Sequence, residues 1–127
     1  MSFKNIIILI AFYSLTQYQL FGQASIDSLT ETSVIDTIWK LEEVIERNDY
    51  LLKETLGKRK ISVLIYKKTD ETKKGYYWLK VGEDNGVSFV SHYNFFVYPN
   101  TMKVLYYDTV NDLELELDKW RKQENKK

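Results

Sequence analysis

Residues 76–98, YYWLKVGEDNGVSFVSHYNFFVY, decide the fold. Two alternating, ring-rich runs, 76–81 and 89–98, flank Gly82-Glu83-Asp84-Asn85-Gly86. Asn85-Gly86 is a strong hairpin signal, because both residues tolerate the left-handed backbone that tight turns need. The two runs are therefore read as antiparallel strands.

Outward from the hairpin the same period continues. Residues 61–67 have strand composition and 68–74 form a charged turn. Pro99-Asn100 turns the chain, and residues 103–107 make a fourth strand. Three short connections between four strands imply an antiparallel meander. Upstream the period changes to that of a helix. Val34, Ile35, Ile38, Leu41, Ile45, Leu52 and Leu56 recur at helical spacing, with Glu42, Glu43, Glu46, Arg47 and Lys53 opposite them. Ser33, with Asp36 three residues on, resembles a capping box, and Gly57 suits the residue past the helix end. Asn48-Asp49 is weak helix material, so a break is expected there. Leu113, Leu115 and Leu117 alternate like a strand, whereas Leu113, Leu117 and Trp120 fit a helix. A short extended piece followed by a helical turn through Trp120 is the favoured reading. The expected fold is α+β: one principal N-terminal helix on a four-stranded antiparallel meander, with a short C-terminal helical segment.

Alternation also assigns side chains to faces. Ile61, Val63, Ile65, Tyr77, Leu79, Val81, Tyr93, Phe95 and Val97 make one face almost purely apolar, fit to receive the helix stripe. The other face takes Ser62, Leu64, Tyr66, Tyr76, Trp78, Lys80, His92, Asn94, Phe96 and Tyr98. One helix cannot cover both sides. A solvated face is ordinarily Thr, Lys, Glu and Ser, but this one carries the ring types enriched at interfaces. Trp78, Lys80, His92, Asn94, Phe96 and Tyr98 are therefore the candidate binding residues. Three readings of this face stand: a surface for another protein or a ligand, a homodimer face, or a face covered by the C-terminal segment through Leu113, Leu117 and Trp120.

The composition narrows the chemistry. There is no cysteine among the 127 residues, which removes disulfides, thiolate catalysis and thiolate metal sites. His92 is the lone histidine, and no serine sits in a Gly-x-Ser-x-Gly setting. Glu83-Asp84-Asn85 offers clustered oxygens but lacks the ligand spacing of a calcium loop. Gly-rich phosphate loops and metal motifs are absent, so neither a metal nor a cofactor is expected and no catalytic residue is assigned. Eighteen basic residues balance eighteen acidic ones, which gives no electrostatic bias toward nucleic acid or an anionic membrane. An alternative remains: a small-molecule or catalytic site with His92 as acid–base, which requires a pocket holding His92 beside a carboxylate.

The N-terminus is read as an export signal. Lys4 precedes the apolar run Ile6-Ile7-Ile8-Leu9-Ile10-Ala11-Phe12, and Gly22-Gln23-Ala24 places small residues at a cleavage point after Ala24. The run is too short for a comfortable membrane span. The expected organisation is 1–24 signal peptide, 25–33 flexible lead-in, 34–122 single α+β domain and 123–127 frayed tail. The destination is periplasmic or secreted, with no membrane attachment after cleavage.

The stretches 76–86, His92-Tyr93-Asn94-Phe95-Phe96-Val97-Tyr98-Pro99 and Val104-Leu105-Tyr106-Tyr107-Asp108 resemble the strand–turn–strand end of small exported PepSY-like and cystatin-like domains. Pro99-Asn100-Thr101 stands where PepSY domains place an Asp-x-x-Thr-Gly turn, and the glycine is missing. The plan is also similar to NTF2-like immunity proteins. The resemblance covers roughly residues 44–108 and implies inhibition, toxin neutralisation or protein binding. The expected function is a non-enzymatic protein-binding or inhibitory domain, its partner another protein or a second copy of itself.

Overall fold

The computed structural model describes residues 26–127. The chain divides into two units between Thr32 and Ser33. The expected signal segment and its cleavage point lie outside the described residues. Residues 26–32, read from sequence as a lead-in, are helical, so Ser33 lies inside a helix rather than capping one. Thr37 shows the interior register, its hydroxyl donating to the Ser33 carbonyl at 2.8 Å.

The elements in order are α1 (26–39), α2 (Glu42–Glu54), β1 (Ser62–Lys67), α3 (Thr69–Thr72), β2 (Tyr77–Asp84), β3 (Phe89–Tyr98), β4 (Lys103–Asp108), β5 (Leu113–Glu116) and α4 (Leu117–Asn125). The strands form one sheet in the order β1-β2-β3-β4-β5, each antiparallel to its neighbour. Among the described residues no helix is long and apolar enough to cross a membrane.

The α+β meander is as read from sequence, with one strand more. The Asp108 carboxylate accepts the N–H groups of Val110 and Asn111, and Asp112 takes a left-handed φ of 52°. This tight turn sends the extended piece back along β4, where Leu115 pairs with Tyr106. Leu115 is buried and Leu113, on the same face at the start of the strand, is 51% exposed, so the cover of this edge strand begins at Leu115. Helix α4 then continues to Asn125, through the residues expected to fray from 123.

The principal helix is broken, but at Lys40–Leu41 rather than near Asn48. Leu41 adopts an extended conformation as N-cap of α2. The break resets the helical phase. Val34 and Ile38 are buried as expected, but α2 buries Val44 and Leu51 instead of Ile45 and Leu52, which are 45% and 37% exposed. Asn48 is held inside α2 by a tertiary bond that offsets its low propensity: its Oδ1 accepts the Ile61 N–H at 2.9 Å, just ahead of β1. The helix ends with Leu56 and Gly57 both left-handed, at φ 53° and 80°. The Gly57 N–H reaches the Leu52 carbonyl at 2.8 Å, closing a Schellman end.

One core lies between the helices and the first sheet face. Val34, Ile38, Val44 and Leu51 meet Leu79, Val81, Phe95 and Val97, with Val63, Ile65 and Tyr93 packed at the margin. Trp120 of α4 joins this same core, stacked on Tyr106 at 4.3 Å and edge-on to Phe95 at 5.7 Å. The C-terminal segment therefore returns to the helical side and does not lie over the aromatic face. Trp120→Ala should lower unfolding stability by about 3–5 kcal/mol, since it empties a filled core site. Urea denaturation checks this, and a loss below about 1 kcal/mol would contradict the placement.

Candidate functional site

The second sheet face carries its own apolar cluster. Tyr76, Phe96 and Leu105 are buried, and Trp78, Tyr98 and Tyr107 pack against them. Tyr76 makes this possible. The Thr72 hydroxyl at the end of α3 donates to the Tyr76 carbonyl at 2.8 Å. The ring lies flat on Phe96, 4.0 Å between centroids, and Phe96 stacks in turn on Tyr107 at 4.5 Å. The Tyr76 phenol lies near the Glu114 carboxylate of β5. Burial, then the Glu114 charge, pushes this phenol up to about 12, so it remains a neutral donor.

Trp78 stands edge-on at the middle of the face, 5.8 Å from Phe96, 5.2 Å from Tyr107 and 4.7 Å from Tyr66. Its indole N–H donates to Asn94 Oδ1 at 2.9 Å, and the Asn94 amide donates to Ser91 Oγ. Tyr66, on this face by alternation, is the extra residue of a register shift in β1, where Ile65 pairs with Leu79 and Lys67 with Trp78. Lys80 Nζ lies 3.8 Å from the Tyr66 centroid, and Lys67 Nζ is within 6 Å of both Tyr66 and Trp78. The structure thus brings Trp78, Lys80, Asn94, Phe96 and Tyr98 together, but Phe96 and its cover are too buried to be contact residues.

His92 does not belong to this group. Val81 pairs with Tyr93 and Gly82 with Ser91, so His92 is the extra residue of a second register shift. Simple alternation had placed it beside Asn94. The shift sends it to Glu83, Nε2 to Oε2 at 2.7 Å. Arg59 holds the same carboxylate with two bonds, of 2.6 and 2.8 Å. These bonds, from Arg59 first and His92 second, hold the Glu83 carboxyl down at about 2. An ionised carboxylate only accepts, so His92 Nε2 carries a proton in either charge state. Nδ1, which has no partner among the described residues, is the free nitrogen.

Arg59, Glu83 and His92 line an open groove of about 490 Å³ at the end of the sheet, with Lys58, Lys60 and Val90 beside them. The pairing of His92 with a carboxylate is the arrangement the alternative reading requires, here in a groove rather than a deep pocket. Sequence reasoning missed Arg59 and Glu83. The available signal was Gly82: a glycine inside a strand marks a shift or a close approach. A Cβ there would sit 2.1 Å from the Val90 carbonyl oxygen and 2.8 Å from the Phe89 ring.

No family model, curated protein or solved structure matches this chain. The chemistry of the site is therefore read from its residues alone. The aromatic face offers rings, one amide and two ammonium groups, which suit contact rather than bond making. Among the described residues no cluster of three metal-ligating side chains occurs.

Glu83 gives a pH signature. A depressed carboxyl favours the ionised form in the folded state. Its contribution is full above the ordinary value of 4.5 and is lost as pH falls toward about 2. Urea denaturation across this window should show the wild type losing more stability than Glu83→Gln. Parallel profiles would contradict the role given to Arg59 and His92.

Proposed function

We propose that the protein is an exported, non-enzymatic domain that binds another protein, as an inhibitor or neutralising partner, through the aromatic face of its sheet. One observation carries this reading. The buried and packed members of the second cluster all lie on strands or, for Tyr76, at the start of one. Among the described residues no helix contributes an apolar side chain to that cluster, which α3 meets through the Thr72 bond to the Tyr76 carbonyl, whereas α1, α2 and α4 all contribute to the opposite core. The rings cover one another and leave a margin that is not closed, with Tyr66 46% exposed.

The margin has the make-up of a protein contact. Aromatic rings with few rotatable bonds lose little entropy on binding, and they dominate binding energy where they fill a partner's recess. Trp78 and Tyr66 supply the rings, Asn94 a polar handle, and Lys67 and Lys80 charge at the rim. Tyr98 flanks the other end, edge-on to Tyr76 at 5.6 Å. Export rests on the N-terminal sequence, and the reading does not depend on the PepSY-like, cystatin-like or NTF2-like likeness.

Capture from envelope extracts tests it, using variants at the exposed margin rather than at buried Phe96. Tyr66→Ala and Lys80→Glu should keep the circular dichroism spectrum. A partner retained by the wild type should bind Tyr66→Ala about 30-fold more weakly, the scale of a hot-spot truncation near 2 kcal/mol. Equal retention by wild type and both variants would remove the aromatic face from the interaction.

A further inference from the structure

The groove at the end of the sheet is separate from the aromatic face and has chemistry of its own. Its centre is the Arg59–Glu83–His92 ion-pair chain, in which one carboxylate satisfies both a guanidinium and an imidazole N–H. Glu83 is 14% exposed and His92 22%, so these two form the floor of the groove, with Arg59, 57% exposed, rising beside them. At the rim stand Lys58 and Lys60, both exposed, neither pairing with a carboxylate among the described residues. Asp84 also lines the groove, its Oδ1 accepting the Gly86 N–H at 2.9 Å, and leaves three cationic side chains against two carboxylates there. Val90, 52% exposed, adds an apolar wall.

From this geometry we infer that the groove binds a small organic anion, with Lys58 and Lys60 supplying the charge and His92 Nδ1 the directional contact. Arg59 is already engaged by Glu83, so its fork is not the anion receptor. Its part, with Glu83, is to fix the His92 ring. Because Glu83 holds Nε2–H, only Nδ1 faces the ligand. In the neutral ring Nδ1 is an acceptor and meets an anion unfavourably; in the protonated ring it is a donor. The protonated ring is the form that turns a donor toward the anion. The charged groups facing His92 are Lys58, Arg59 and Lys60 from the α2–β1 connection and Glu83 and Asp84 from β2. Of these only Glu83 bonds to the ring, and it remains ionised far below neutral pH. The ligand class is a carboxylate or phosphate ester with a short apolar part to lie on Val90.

Nuclear magnetic resonance titration of the full-length chain with citrate and, separately, with inorganic phosphate tests this, at constant ionic strength set with sodium chloride. The expected result is a saturable shift confined to residues 58–60, 83, 90 and 92, for at least one of the two anions. The arm that saturates at lower concentration says whether carboxylate or phosphate is preferred. The double variant Lys58→Ala/Lys60→Ala should lose at least tenfold in affinity with an unchanged fold, and His92→Gln should keep binding but at least threefold more weakly. Shifts that never saturate, shifts spread evenly over all lysines, or His92→Gln binding as tightly as the wild type would overturn the inference. None of these results bears on the aromatic face, so the two readings fail separately.

Discussion

Strand β3 must bury two neighbouring phenylalanines on opposite sides of one sheet. Phe95 is fully buried and Phe96 is 3% exposed. Withdrawing each ring from water contributes about 1.5–3 kcal/mol, so neither can be left uncovered cheaply. The helices solve one side: α1, α2 and α4 close over Phe95, with Trp120 as the last piece. No such layer serves Phe96 among the described residues. Tyr76 does so instead, lying flat on it, its carbonyl bonded to Thr72 and its phenol near the Glu114 carboxylate. The second face is thus dry at its centre and open at its margin, which is why it has the character of a contact surface.

Two departures from regular pairing place the remaining groups. In β1 the extra residue Tyr66 sets a ring beside Trp78 and under Lys80. In β3 the extra residue His92 is turned out of the aromatic set and onto Glu83. A regular ladder would have mixed these groups on one surface. The irregular one separates them into a ring-and-lysine margin and a charged groove.

Much of the architecture was legible because the period-two pattern is strong. The hairpin at Asn85-Gly86, the strand 89–98 and the inward set Leu79, Val81, Phe95 and Val97 all follow from alternation alone. What alternation cannot report is a change of phase. The break at Leu41 has no glycine or proline to announce it, so the α2 stripe was read one residue out, on Ile45 instead of Val44. His92 was misplaced for the same reason, although Gly82 marked the spot. Asn48 looked like a helix breaker because its partner, the Ile61 backbone, is distant in sequence. The fifth strand was too short to separate from a helix by pattern, and only the Asp108–Asp112 turn decides it. Arg59 and Glu83 are 24 positions apart, beyond any local signal.

The central claim is that one sheet face is sealed by helices while the other is sealed only by its own rings. Solvent paramagnetic relaxation of side-chain protons, induced by a soluble gadolinium probe, compares the two directly. The account predicts strong broadening of Tyr66 and the Trp78 ring edge, with Trp120 and Phe95 protected. Protection of Tyr66 and Trp78 equal to that of Trp120 would mean the second face is covered, and would contradict it.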